Sequence, residues 1–260
     1  MNLSVPLGFL AGAAVLFFGV FRGIENSGVF LSPHAGIIVI GGTAAAALIC
    51  FPLKYFFNMI KVMFAAILGT RHATKVRTIN EIVSLSVSIN SGKQLLNLVP
   101  KVQNHFLKES LQLMETGGLS DDELFEVLEK RVEFQNETYQ RDSSTFRIIG
   151  KFPPAFGLIG TSVGMIALLQ GLAAPDAFQK IGPSMSLALV ATFYGLVFSN
   201  FILIPIGENL NQACEDDLIV RRIVIDGIRL IKHSKHPLLV GEHLKSYLQP
   251  AQRNKMRKVA

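Results

Sequence analysis

Residues 151–209 read KFPPAFGLIG TSVGMIALLQ GLAAPDAFQK IGPSMSLALV ATFYGLVFSN FILIPIGEN. Two apolar runs, Phe152 to Ala174 and Ile181 to Ile206, flank the polar turn Pro175-Asp176. Neither run contains Asp, Glu, Lys, Arg or His. Each is long enough to cross a hydrocarbon core, which takes about 20 helical residues. With no water in a bilayer, the backbone of a span must bond to itself, so both runs are expected to be helices. Small residues and hydroxyls recur within them: Gly157, Gly160, Thr161, Ser162 and Gly164 on the first, and Ser184, Ser186, Thr192, Gly195 and Ser199 on the second. That pattern predicts close helix packing and a wet path rather than a plain anchor.

The rest of the chain agrees with a membrane protein. Half of the 260 residues are hydrophobic and only 17% are charged, which fits several spans plus a cytosolic part. Of the 25 Lys and Arg, 12 lie between Tyr55 and Lys151 and 10 follow Asn209. The positive-inside rule puts both blocks in the cytoplasm. A basic balance also raises nucleic-acid binding, but acidic residues are interleaved and no aromatic-basic stripe appears. Cys50 and Cys214 fall in an expected span and a cytosolic tail, which disfavours a disulfide.

Two earlier runs complete the expected set of spans. Val5 to Val20 lacks a basic flank and a small-residue cleavage site, so it reads as a retained span. Gly8, Gly12 and Gly19 stand at near-helical spacing on it as a packing face. The polar loop Glu25-Asn26-Ser27-Gly28 leads to Ser32-Pro33-His34, where Pro33 suits a first helical turn, and then to the Gly- and Ala-rich run Ala35 to Phe51. His34 reads as a solvated or capping group sooner than a proton relay. Lys54 and Lys61 bracket Tyr55-Phe56-Phe57, and the stretch to Leu68 reads as an interfacial helix whose lysines reach the headgroups. The fold class is therefore all-α: four transmembrane helices with a helical cytoplasmic domain. The boundaries are 1–54 for spans 1 and 2, 55–147 for the cytoplasmic domain, 148–209 for spans 3 and 4, and 210–260 for a cytoplasmic tail. Both termini are then cytoplasmic.

In the cytoplasmic part, Thr78-Ile79-Asn80-Glu81 has the form of a capping box, with Ile82, Val83, Leu85 and Ile89 on one helical face. Pro100 is placed to open a second helix running to Glu115 and stopped by Gly117-Gly118. Ser120-Asp121-Asp122-Glu123 is another capping box, followed by one long helix that rises into the membrane and bends at Pro153-Pro154. Glu126 and Lys130 stand four apart in the favourable order. Ala213 to Lys232 reads as helical, and Asn254 to Lys258 as a basic, disordered end.

No metal spacing, phosphate loop or nucleophile-base set stands out, so neither enzyme chemistry nor a cofactor is expected. Ion relays at depth use carboxylates or histidines, and these runs have none. Thr161 and Thr192 lie about mid-span. A threonine hydroxyl donates and accepts, so it can hydrate an ion, but it cannot carry the charge. Such hydroxyls can equally back-bond to their own helix. If ions move, another polypeptide supplies the acid.

The stretches SPHAGIIVIGGTAA (32–45), PPAFGLIGT (153–161), IGP (181–183), ATFYG (191–195) and Pro205-Ile206 resemble the MotA/PomA family, in that order. So does the tail from Ile225-Asp226-Gly227-Ile228 to His236-Pro237 and Leu244 to Leu248. These are channel-forming flagellar stator subunits of the wider MotA/TolQ/ExbB group. The resemblance implies a homo-pentamer around two copies of a MotB-type single-span partner, which supplies the ion-carrying Asp. It implies a multi-pass protein of the bacterial inner membrane. It makes Thr161 and Thr192 ion-path hydroxyls, Pro154 and Pro205 coupling prolines, and Ala191 an ion-selectivity position whose missing hydroxyl points to protons. The family's rotor-facing Arg and Glu fall on Ile89 and Asn97, so both charges are absent. Lys93, Lys101, Asp121, Asp122, Glu123 and Glu126 are the candidates to replace them against a rotor protein of the FliG type. A TolQ/ExbB-like energy-transducing subunit, or the stator of a non-flagellar machine, is the alternative.

Overall fold

A computed structural model describes residues 4–22, 27–68, 75–116, 118–172 and 177–256. The expected turn at Pro175-Asp176, the loop residues Glu25 and Asn26, the stop at Gly117 and the basic residues Arg257 and Lys258 lie outside these. Every described element is helical. In chain order they are α1 (Ser4–Phe21), a single turn (Ser27–Phe30), α2 (Pro33–Gly36), a wide turn (Ile37–Gly41), α3 (Gly42–Cys50), α4 (Leu53–Leu68), α5 (Lys75–Asn90) and α6 (His105–Glu115). Then come α7 (Asp121–Ile149), α8 (Phe152–Gly171), α9 (Ala177–Val197), a second wide turn (Phe198–Leu203), α10 (Ile204–Lys232), α11 (Pro237–Lys245) and α12 (Pro250–Met256). The chain divides into two compact units: residues 1–71 with 141–211, and residues 72–140 with 212–260.

The first unit carries the apolar helices. Three helical stretches, Gly28–Cys50, Asp121–Gly171 and Ile181–Lys232, each hold a segment long and apolar enough to cross a membrane. The apolar part of α1, Val5–Gly19, is shorter. Leu158, Ile159, Ile166, Leu169, Leu189 and Leu196 are exposed on α8 and α9. Such a surface is costly in water and suits lipid. Of the α1 glycines only Gly12 meets a neighbour: a Cβ there would fall inside the Phe201 ring, whereas Gly8 and Gly19 face open space. Ser32 caps α2 by accepting from the Ala35 N–H at 3.4 Å, with Pro33 in the first turn and His34 exposed.

One helical stretch runs from Asp121 to Gly171, as expected, with a two-residue turn at 150–151 that divides it into α7 and α8. α7 stops at Ile149, and Phe152 restarts the chain with Pro153 and Pro154 in the first turn of α8. The carbonyls of Ile149 and Gly150 would have bonded to the N–H groups of residues 153 and 154. Both are prolines and have none, so the backbone ladder opens at this point. The second wide turn has the same origin. Pro205 offers no N–H to Phe201 four residues back, and the turn relaxes to five-residue spacing, with the Ile204 N–H on the Ser199 carbonyl.

The second unit packs Ile79, Ile82 and Leu85 of α5, Leu107 and Leu111 of α6, Leu124 and Leu128 of α7, Ile223, Val224 and Ile228 of α10, and Val240 and Leu244 of α11 into one core. The helix at Thr78 is already under way from Lys75, so Thr78-Glu81 is not a capping box. Thr78 is buried and accepts from Asn104 Nδ2 at 3.1 Å. Glu81 Oε1 accepts from the Gln103 N–H at 2.6 Å and so holds the entry to α6. Pro100 lies in a short turn, Val99–Lys101, and α6 starts later, where Asn104 accepts from the Leu107 N–H at 3.1 Å. The Ser120 box forms as expected: Glu123 Oε2 accepts from the Ser120 N–H at 2.8 Å and the Glu123 N–H reaches Ser120 Oγ at 3.3 Å. Lys130 pairs with Glu126 at 2.6 Å. α11 is an element beyond the sequence-based expectation, and α12 extends helix over part of the expected disordered end.

Tyr247 donates to Asp226 Oδ2 at 2.7 Å. Burial, then this bond to a carboxylate, push its hydroxyl up to about 12 from an ordinary 10.0. The folded value is the higher one, so the contribution is whole below pH 10.0 and is lost as pH rises towards about 12. Tyr247→Phe is expected to lose less stability than the parent across that interval, measured by thermal melts at stepped pH.

Gly195 tests the packing of the first unit. A Cβ there would sit 2.4 Å from the Pro153 carbonyl oxygen, a backbone atom that cannot rotate away. Gly195→Ala should cost about 1–3 kcal/mol through overpacking. Gly8→Ala, with nothing within 4 Å, should be neutral in the same detergent melt.

Candidate functional site

α8 and α9 meet along an antiparallel seam made by residues with little or no side chain. A Cβ on Gly164 would fall 2.8 Å from Ala188 Cβ, one on Gly160 2.5 Å from Ala191 Cβ, and one on Gly157 3.0 Å from the Ala191 carbonyl oxygen. The two backbones therefore touch, as small residues permit in lipid. Pro183 is inside α9, yet the helix continues to Val197.

The seam brings Thr161 and Thr192 together. Their hydroxyl oxygens bond directly to each other across the two helices. Thr161 Oγ1 also stands 3.1 Å from both the Gly157 carbonyl on its own helix and the Ala188 carbonyl on α9. Thr192 Oγ1 is 3.4 Å from the Gly157 carbonyl. Back-bonding and cross-helix bonding thus coexist. The pair has two hydrogens. When Thr192 donates to Thr161, and Thr161 donates to a carbonyl, both hydrogens are used. The Thr192 oxygen then keeps lone pairs that no group of this network fills. Both threonines are only half-buried, so that acceptor is within reach of water or of a donor from outside the chain. No carboxylate, lysine, arginine or histidine lies on residues 152–172 or 181–206.

The other site residues fall around this pair. Ala191 is fully buried at the seam and packs with Ala35, Val39 and Val190. Its methyl fills the space opposite Gly160, one residue from Thr192. Pro154 is half-buried in the first turn of α8, and Pro205 is exposed just beyond the second wide turn. Pro205 also borders an apolar cavity of about 320 Å³ with Val5, Gly8, Phe9 and Phe201. Among the described residues no group of His, Cys, Asp or Glu is arranged to hold a metal.

The charged candidates belong to the second unit. Lys93 and Lys101 are exposed. Lys93 follows Gly92, whose φ of +81° closes α5 in the left-handed turn that favours glycine. Ile89 is half-buried against the core and Asn97 is exposed. Asp121 pairs with Lys232 at 2.7 Å, Glu123 caps α7 and Glu126 pairs with Lys130, so three of the four acids have partners within the unit. Asp122 is exposed beside them. Sequence reasoning named Ser199 only as one of the hydroxyls on the second run, and missed both the direct Thr161–Thr192 contact and the donation of the Ser199 hydroxyl to the Gly150 carbonyl. The signal for Ser199 was present: Pro154 stands four residues after Gly150 and leaves that carbonyl without its helical donor.

Comparison with known proteins gives a consistent picture. Residues 99–222 match the profile of the MotA/TolQ/ExbB proton channel family. The chain is 28% identical to the chemotaxis protein PomA of Vibrio alginolyticus over 253 residues, covering 97% of this chain and 98% of that protein. It is 28% identical to motility protein A of Cereibacter sphaeroides, covering 98% of each. It is also 28% identical to the uncharacterized protein YtxD of Bacillus subtilis, over 89% of this chain. Among solved structures, the flagellar MotAB stator complex from Bacillus subtilis superposes with a TM-score of 0.84 at 24% identity, covering 96% of this chain. MotAB of C. jejuni superposes with 0.83 at 23%. At those identities the structural likeness establishes the fold.

The bonding order of the pair sets an expectation for stability. Thr161 bridges both helices, whereas Thr192 leans on Thr161. Thr161→Val should cost about 1–2 kcal/mol and Thr192→Val less than about 1 kcal/mol, by detergent melts of the purified chain.

Proposed function

We propose that the chain, whose residues 99–222 match the MotA/TolQ/ExbB proton channel family, is the ion-conducting stator subunit of a rotary motor, converting transmembrane ion flow into rotation. The observation that carries the reading is the Thr161–Thr192 pair. It is a hydroxyl couple with a spare acceptor, in a glycine-lined seam without a titratable group. Hydroxyls in an acid-free seam can pass an ion along but cannot hold its charge. The carboxylate that binds the ion therefore comes from a second chain. We take that second chain to be a MotB-type single-span partner whose Asp approaches the pair; the fold shared with MotAB complexes is the support for a MotB-type partner. In this reading five copies surround two copies of the partner, in the bacterial inner membrane, with both termini cytoplasmic. Four spans follow if α1 crosses with the three longer apolar stretches.

The pair's part is positional. Thr192 accepts a hydrogen bond from water or from the protonated partner carboxyl, and Thr161 fixes the direction of that acceptor by taking the Thr192 hydrogen. Ala191 bears on ion choice. A methyl where a hydroxyl would stand removes an oxygen that a dehydrated sodium ion needs, which favours protons. Pro154 and Pro205 act as coupling points, because each interrupts the backbone ladder of a helix adjoining the pair.

Torque is assigned to the exposed Lys93 and Lys101 together with Asp122. Ile89 packs against the core, and Asn97 carries no charge. This departure favours a rotor whose charges differ from the usual FliG-type pattern, or a non-flagellar machine. The family contains stator and channel proteins rather than enzymes, and nothing in the site calls for a cofactor.

The decisive experiment reconstitutes the chain with its partner and follows ion flux. Thr192→Val should lower flux at least about tenfold, a barrier rise of about 1.4 kcal/mol. A Thr192→Val complex that conducts at the parental rate would defeat the assignment. Flux should persist in sodium-free buffer and vanish with a proton uncoupler. Lys93→Glu with Lys101→Glu should reduce torque on an acidic rotor face while leaving flux unchanged.

A further inference from the structure

We infer that the Ser199 hydroxyl stands in for the N–H that Pro154 lacks, and that this clasp sets the break between α7 and α8 through which ion flow is coupled to rotation. The coupling part rests on the stator reading; the clasp itself does not. In a continuous helix the Gly150 carbonyl accepts from the N–H four residues on. That residue is Pro154, which has no hydrogen to give. Gly150 is buried, and a buried carbonyl left without a donor is destabilising. Ser199, only 2% exposed, donates its hydroxyl to this oxygen from the second wide turn. Ser143 makes a parallel contact, donating to the Gly207 carbonyl at 3.1 Å. A Cβ on Gly150 would already press Ile204 at 3.1 Å, and one on Gly207 would press Phe146 at 3.1 Å. The two interrupted segments, 149–152 and 198–205, are thus tied by the Ser199 hydroxyl, with the Ser143–Gly207 bond beside them.

The position gives the clasp a role. Ser199 lies seven residues, about two helical turns, beyond Thr192. Pro154 lies seven residues before Thr161. One helix pair therefore carries the hydroxyl couple at one level and the clasp at another. A displacement of Thr192 is transmitted along α9 into the second wide turn and Ser199, and the Gly150 carbonyl follows the hydroxyl bonded to it. Ser199 acts as a positioning residue: it touches no ion, and it decides whether the break moves with α9.

Two measurements on the complex of the chain with its partner test this. In the first, Ser199→Ala should keep ion flux within about twofold of the parent while rotation in the host falls at least about tenfold, and Ser199→Thr should restore rotation. Normal rotation in Ser199→Ala, or a parallel fall of flux and rotation, overturns the coupling role. The second is a double-mutant cycle on thermal stability. Pro154→Ala supplies the missing N–H, so Ser199→Ala should lower Tm in the parent and leave it unchanged in the Pro154→Ala background. Equal shifts in both backgrounds overturn the clasp. The cycle reads out in a complex that conducts nothing, so it separates failure of the clasp from failure of the stator reading.

Discussion

Two helices in lipid can touch backbone to backbone only where side chains are missing, and the seam of α8 and α9 depends on that condition. Gly157, Gly160 and Gly164 remove the side chains from one face, and Ala188, Ala191 and Gly195 reduce them on the other. The approach is what lets the Thr161 oxygen reach the Ala188 carbonyl as well as its own Gly157 carbonyl. Larger residues at these positions would hold the helices apart and return each threonine to bonding its own ladder. A hydroxyl couple would then become two unrelated side chains. The chemistry of the site is thus a consequence of packing.

The same closeness explains the division of labour between this chain and a partner. A carboxylate in the seam would have to be desolvated on two sides, at several kcal/mol, before it bound any ion. Hydroxyls are cheaper to bury, because each can be satisfied by a neighbouring carbonyl. The seam therefore tolerates groups that direct a hydrogen bond but not a group that holds charge. Ala191 obeys the same limit, filling the gap opposite Gly160 with a methyl. Charge is kept out of residues 152–172 and 181–206, and Arg147 and Glu208, which pair at 2.9 Å, lie outside both stretches.

Much of this was legible in the sequence, because the signals were local. Acid-free runs of spanning length, the Ser120-Glu123 box and the Glu126–Lys130 spacing need only neighbours a few residues apart, and each formed. The failures came where a local pattern served a distant contact. Thr78-Glu81 has the letters of a capping box, but the helix begins before it, and the same side chains hold residues 103 and 104. Gly8, Gly12 and Gly19 share a spacing, but only Gly12 finds a neighbour, a ring 189 positions away. The count of crossings was less legible than their existence. An apolar helix of 15 residues, Val5–Gly19, is long enough to pack and shorter than a standard span.

The prolines show why a periodic reading missed the hinge. A proline in a helix is usually counted for the bend it causes, and on that count Pro153-Pro154 predicts a kinked but continuous rod. The carbonyls matter more. Each proline strands an oxygen four residues upstream, and in hydrocarbon that oxygen must be answered by another group. Before Pro205 the ladder runs at five-residue spacing, a change of pitch that a chain can make alone. Gly150 has its missing donor replaced by a serine 49 positions away, which only the folded pair can supply. The first repair is intrinsic to one helix; the second ties two helices together. Rigid packing along the glycine seam leaves little room for motion between Gly157 and Gly164. The ends of the seam are where the backbone ladder is already open. A rotary coupling needs such a place: a joint that is loose in its backbone and held in register by one exchangeable hydrogen bond.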